Sequence, residues 1–187
     1  MSVSDVSIAN RALTLLSAGR ILSLSEDSEN ARKISAIYED TRNALLEEHN
    51  WNFARTEVTL SLLSLFPVLE TWANAFQLPS DCIRVIRMQQ DIAFAIYSDR
   101  LYTNSDTASI EYIIRVTDPT KFSSGFVKAL ASKIASDLSF GITQNATLAA
   151  NMYKIAERDL SEAKWSDAQA GLGIQQTAGT FITAREQ

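Results

Sequence analysis

The sequence predicts an α+β protein: a four-helix bundle formed by the N- and C-terminal helices, with a small antiparallel β-sheet domain inserted between helices two and three. Three observations carry this. Apolar residues recur at helical spacing through the first 50 residues, and again from Ser124 to Asp167. Between them, over residues 53–117, the period falls to two. The amphipathic helices at the two ends need partners, and each pair finds them in the other. The chain then divides into an N-terminal helix pair (1–52), an inserted β domain (53–117), a C-terminal helix pair (118–168) and a flexible C-terminal tail (169–187).

The elements follow in order. Ser4 or Asp5 can cap a first helix carrying Ile8, Ala12, Leu15 and Leu16, and Gly19 is its expected stop. Ser23 to Ser28 is a polar link. A second helix starts near Asp27 or Ser28 and lays Ala31, Ile34, Tyr38, Thr41 and Leu45 on one face. Glu39, Asp40, Arg42, Glu47 and Glu48 are expected on the wet side. Val58, Leu60 and Leu62 alternate with Glu57, Thr59 and Ser61, as in a half-buried strand. Trp72, Phe76 and Leu78 read as loop residues tucked under the sheet. Cys82 to Met88 and Ile92 to Tyr97 are β-rich around a Gln89-Gln90-Asp91 turn, and Leu101 to Thr103 is a short strand. Ser109 to Val116 sets Ile110, Tyr112, Ile114 and Val116 against Ser109, Glu111, Ile113 and Arg115, which completes an antiparallel meander. Asp118-Pro119 closes the sheet and opens a helical turn. The third helix carries Phe126, Leu130, Ile134 and Leu138 and is expected to end at Gly141. The fourth carries Leu148, Met152, Ile155, Leu160 and Ala163.

Composition narrows the chemistry. Of 187 residues, 46% are apolar, enough to bury a sizeable core, and the formal net charge of −5 argues against a free-standing nucleic-acid binder. The charge is uneven: −3 over residues 1–50, −3 over 51–118 and +1 over 119–187. One histidine, His49, and one cysteine, Cys82, leave no zinc set and no internal disulfide. None of the six glycines forms a phosphate-cradling loop. No apolar run reaches the roughly 18 residues of a membrane span, and no secretory signal is expected. The expectation is therefore a non-enzyme with no cofactor, no metal and no membrane contact.

Individual residues read as structural. His49 is a helix-end residue, favoured there when charged by the negative end of the helix dipole. Trp51, Phe53 and Phe76 are expected to plug the junction between helices and sheet. Arg84, Arg87, Arg100 and Arg115 are solvated strand positions, without the interleaved aromatics of a nucleic-acid platform. The neighbouring carboxylates Glu26-Asp27 and Glu47-Glu48 are helix-flank charges. Cys82 is expected to be buried and inert. The tail is different. Leu172, Ile174, Phe181 and Ile182 make it too apolar for a solvated end, and a Gly-rich apolar end commonly orders on a partner.

Several segments then carry a resemblance. Ser7-Ile8-Ala9-Asn10-Arg11-Ala12-Leu13 opens the chain. Ile21 to Arg32 (ILSLSEDSENAR), His49-Asn50-Trp51-Asn52-Phe53-Ala54 and Ala75 to Val85 (AFQLPSDCIRV) follow. Tyr112 to Pro119 (YIIRVTDP) and Phe126-Val127-Lys128-Ala129-Leu130 close the series. In this order and spacing the chain resembles the tail tubular protein A family, the head-to-tail adaptors, or gatekeepers, of tailed phages. The match runs from about residue 5 to 165; His49-Asn50-Trp51 departs from the Pro-Trp more usual there. The resemblance implies a structural virion protein of the tail or neck, made in the host cytoplasm. It implies a homo-oligomeric ring of twelve copies under the portal, extending the DNA channel to a downstream tail or nozzle protein. DNA passes through such a channel without specific binding. The tail residues Leu172, Ile174, Phe181 and Ile182 would face the portal.

The alternative is a DNA-packaging component, a DNA-binding ring like a small terminase subunit. Against it, the Ser23–Ser28 link is longer than a helix-turn-helix turn, and the second helix is acidic. A cell-wall hydrolase would need a carboxylate pair that no motif supports.

Overall fold

The computed structural model describes residues 3–64, 71–89 and 92–171. Its elements are α1 (Asp5–Leu15), α2 (Glu29–Glu47), β1 (Arg55–Thr59), β2 (Asn74–Gln77), β3 (Cys82–Met88), β4 (Phe94–Tyr97), β5 (Arg100–Thr103), β6 (Ser109–Ile114), α3 (Ser124–Thr143) and α4 (Ala146–Gly171). Short 3-10 turns, Asn52–Ala54 and Pro119–Lys121, join helices to strands.

Each helix starts where a short polar side chain can take a free N–H. Ser4 and Ser7 form a reciprocal capping box on α1. Ser28 caps α2, Ser123 caps α3, and Asn145 accepts from the Leu148 N–H at 3.0 Å. The stops are not the expected glycines. The chain leaves α1 through Ser17 at φ 54°, and α3 runs past Gly141 to Gln144 at φ 51°. Both residues take the left-handed conformation that glycine usually supplies. Asn10 then closes the α1–α2 link: it accepts from the Ile21 N–H at 2.9 Å and donates to the Ile21 carbonyl at 2.8 Å.

The expected fold class is corrected on two counts. The helices do not form the expected four-helix bundle. α1, α2 and α4 all pack chiefly on α3, with α4 making the largest contact. Gly125 permits that closeness, since a Cβ there would meet Ala163 Cβ at 3.2 Å. Nor do the strands make one small inserted sheet. They make two three-stranded antiparallel sheets, ordered β1-β6-β3 and β2-β5-β4. β2 arises where a loop was expected, so Phe76 sits in a strand.

The reason lies in β6, which is apolar on both faces. Ile113 packs on the helical core, together with Ile83 and Ile86 of β3. Ile110 and Tyr112 point the other way, into a second core with Leu60, Phe76, Met88 and Leu101. The β1-β6-β3 sheet is therefore a middle layer, with helices on one side and the β2-β5-β4 sheet on the other. Along one side the sheets are knitted together: the Leu63 N–H donates to the Ala75 carbonyl at 2.9 Å, and the Gln77 N–H to the Ser61 carbonyl at 3.3 Å.

Candidate functional site

Two of the three expected junction residues meet. Trp51 is fully buried between α2 and the first strand, and its Nε1 donates to the Leu45 carbonyl at 2.7 Å. Its ring lies edge-on to Phe126 (centroids 5.0 Å apart) and to His49 (4.9 Å). Phe53 packs on Phe122 and Phe126. Phe76 is not part of this cluster; it is buried between the two sheets. The next turn is held by Asp167 of α4. Asp167 Oδ2 accepts from the Asn52 N–H at 3.0 Å, and the Asn52 side chain donates to the Asp167 carbonyl.

His49 lies within this joint, with Nε2 3.5 Å from Asp167 Oδ2. Burial lowers its pKa, against the opposing pull of Asp167, while Lys164 and Arg84 repel the proton. His49 follows the end of α2 as expected, and burial works against the charge that a helix end favours. No hydroxyl or thiol stands beside it as a nucleophile in the contacts the structure gives.

Besides Asp167, two further buried carboxylates were missed in the sequence. Glu111 accepts from Arg55 Nε at 2.7 Å and from Arg87 Nε at 2.6 Å, which ties β1, β6 and β3 together. Burial works to raise its pKa; the two guanidinium groups outweigh that and hold it low. Asp159 accepts from Ser132 Oγ at 2.6 Å, and pairs with Lys128 Nζ and Arg158 Nη2, each at 3.0 Å. Burial again pushes upward, and these three donors hold the carboxyl below its ordinary range. A signal existed for Asp159: it falls on the apolar stripe of α4, between Ala156 and Ala163. Arg42, expected on the wet side of α2, is buried and donates to Asn43 Oδ1.

The remaining charged candidates are dispersed. Glu26 accepts from the Leu22 and Ser23 N–H groups, Asp27 pairs with Arg32, and Glu48 pairs with Lys164. Arg84 donates to Asn50 Oδ1, and Arg115 is exposed. Cys82 is half-buried, and burial with help from Asp81 pushes its thiol up to about 11, so it stays protonated at neutral pH. Among the described residues no group of three or more His, Cys, Asp or Glu could hold a metal, and no helix is long and apolar enough to cross a membrane. The four tail residues Leu172, Ile174, Phe181 and Ile182 lie outside the described residues.

What the surface does offer is unpaired apolar area. On α4, Trp165 is 69% exposed and Tyr153 56% exposed, and Phe140 on α3 is 60% exposed. Leu22, after α1, is 92% exposed. Buried carboxylates that are already saturated by cations serve cohesion, and exposed aromatics serve contact. No protein-family model matches the chain, and no curated protein matches it.

Proposed function

We propose that this chain is a subunit of a phage head-to-tail adaptor ring, which docks under a portal and continues its DNA channel toward the tail. The observation that supports it best is that large exposed apolar residues stand on several different elements, α4 and the end of α1 among them. Tyr153 and Trp165 stand on α4, and Leu15 and Leu22 stand on the end of α1 and the link after it. A closed ring is built from a heterologous contact, in which one patch of each subunit meets a different patch of the next. Exposed apolar residues on different elements fit that requirement. The resemblance in the order of motifs supports the same reading. The saturated carboxylates suit a load-bearing part that needs a rigid joint between layers. Residues 172–187 are the segment we assign to the portal.

The test is mass by light scattering, for the chain alone and after mixing with its cognate portal ring. The proposal expects discrete portal complexes carrying about a dozen copies. A chain that ignores the portal yet binds duplex DNA at low salt would replace this reading with the packaging one.

A further inference from the structure

We infer that the contact between copies is a carboxylate and two aromatic rings closing on two arginines. Tyr153, Glu157 and Trp165 on α4 of one copy receive Arg11 and Arg20, at the end of α1, from the next. The inference rests on the ring reading above and names the groups that make its contact.

At the end of α1 a groove of about 450 Å³ is bounded by Ser7, Asn10, Arg11, Thr14, Leu15 and Arg20. Arg11 and Arg20 are exposed, and among the described residues no carboxylate pairs with either. The acids nearest in sequence are engaged elsewhere. Asp5 accepts from the Tyr38 hydroxyl at 2.7 Å, and Glu26 from the Leu22 and Ser23 N–H groups. Asp27 pairs with Arg32, and Glu29 with Lys33. The other polar groups of the groove are engaged too. The Ser7 hydroxyl donates to the Ser4 carbonyl and the Thr14 hydroxyl to the Asn10 carbonyl, each at 2.7 Å, while the Asn10 amide holds Ile21. The groove therefore offers a partner two guanidinium groups beside Leu15, which is 39% exposed.

The complement stands on α4. Tyr153, Glu157 and Trp165 are all exposed and share one broad side of the helix. Among the described residues Glu157 makes no ion pair, not even with Lys154 beside it. Its neighbours Asp159 and Glu162 are taken by Lys128 and Arg158. A carboxylate binds the N–H fork of an arginine, and an aromatic ring covers its flat face. The chain already uses the first of these: Glu111 sits between Arg55 and Arg87. Other exposed aromatics lack a free acid close by in sequence. Asp137, before Phe140, is paired with Lys133, and Asp99, after Tyr97, with Arg100. α1 and α4 each pack chiefly on α3, and no ion pair joins the two sets within one chain. A second copy supplies each set with the other, and the contact repeats from subunit to subunit.

Charge reversal tests the pairing. One full-length variant carries Arg11→Glu with Arg20→Glu, and a second carries Glu157→Arg. Each is weighed by native mass spectrometry with the portal ring, alone and as an equimolar mixture. Each alone sets like charges against each other, and about tenfold less ring than the parent gives is expected. In the mixture the two variants alternate with every contact complementary, so rings of parental size are expected to return. Misfolding of either variant would not give that rescue. Rings at the parental level from either variant alone overturn the inference and leave the ring reading standing. Variants that fail both alone and together overturn it as well, because the reversed groups then do not face each other. A parent that forms no ring removes the ring reading itself, and the inference with it.

Discussion

Trp51 Nε1 donates to the Leu45 carbonyl at 2.7 Å, so the residue that joins the layers also caps the helix that precedes it. α2 ends at Glu47, and Leu45 is among the last-turn carbonyls that have no intrahelical donor. Trp51→Phe keeps most of the packing and strips that bond. Urea unfolding is expected to show a loss of about 1–3 kcal/mol, the cost of a buried acceptor left unpaired. Trp51→Ala adds a cavity beside Phe126 and is expected to cost about 3–5 kcal/mol.

Asp159 is the second joint. Asp159→Ala leaves the Ser132 hydroxyl buried without its acceptor and releases Lys128 and Arg158 from α4's inner face. Both cations are partly solvated, so the expected loss is about 2 kcal/mol, less than for a fully enclosed pair. The carboxyl's pKa is held below its unfolded value, so its contribution is present above the ordinary aspartate range and is lost as pH falls through the lowered folded value. Acid unfolding of Asp159→Asn should show a flatter slope below pH about 4 than the parent.

His49 gives a separate window. It is the only histidine, so between about pH 7 and 5.5 its titration dominates the change in side-chain charge. Its folded pKa is lowered by burial, so the unfolded chain takes up the proton first and stability falls as pH drops through that window. The thermal midpoint should decrease from pH 7 to 5.5 in the parent and stay nearly level in His49→Gln. A midpoint that rises on acidification would mean that Asp167, 3.5 Å away, outweighs burial.

Gly125 tests the closest helix crossing. Its missing Cβ leaves space for Ala163 Cα, which would lie at 3.3 Å from the added atom. Gly125→Val is expected to cost about 1–3 kcal/mol through overpacking of α3 on α4, by urea unfolding. Ala163→Gly in the same chain should restore part of that loss, since the two positions share one gap.

Much of the helical layer was legible because its apolar spacing is regular. Ile8, Ala12, Ile34, Leu45, Phe126, Leu130 and Ile134 are all buried. The sheets were less legible, for a physical reason. Strict alternation reads one wet face, and β6 has none: Glu111 and Ile113, expected outside, are covered by the helices and by two arginines from neighbouring strands. β2 was missed because four residues, Asn74–Gln77, carry too little period to register. The helix ends moved because Ser17 and Gln144 took the left-handed turns that Gly19 and Gly141 advertised. The junction at Trp51 was readable from its bulk. Its lock, Asn52 on Asp167, joins residues 115 positions apart, and no local pattern announces such a pair.

The proposed ring requires assembly through two different faces. The most direct measurement mixes two single variants, Trp165→Asp on α4 and Leu22→Asp after α1, and weighs the products by native mass spectrometry in the presence of the portal ring. Each variant alone should fail to form a ring, and the mixture should give heterodimers and nothing larger, because one intact contact remains. Rings of parental size from either variant alone would contradict the account.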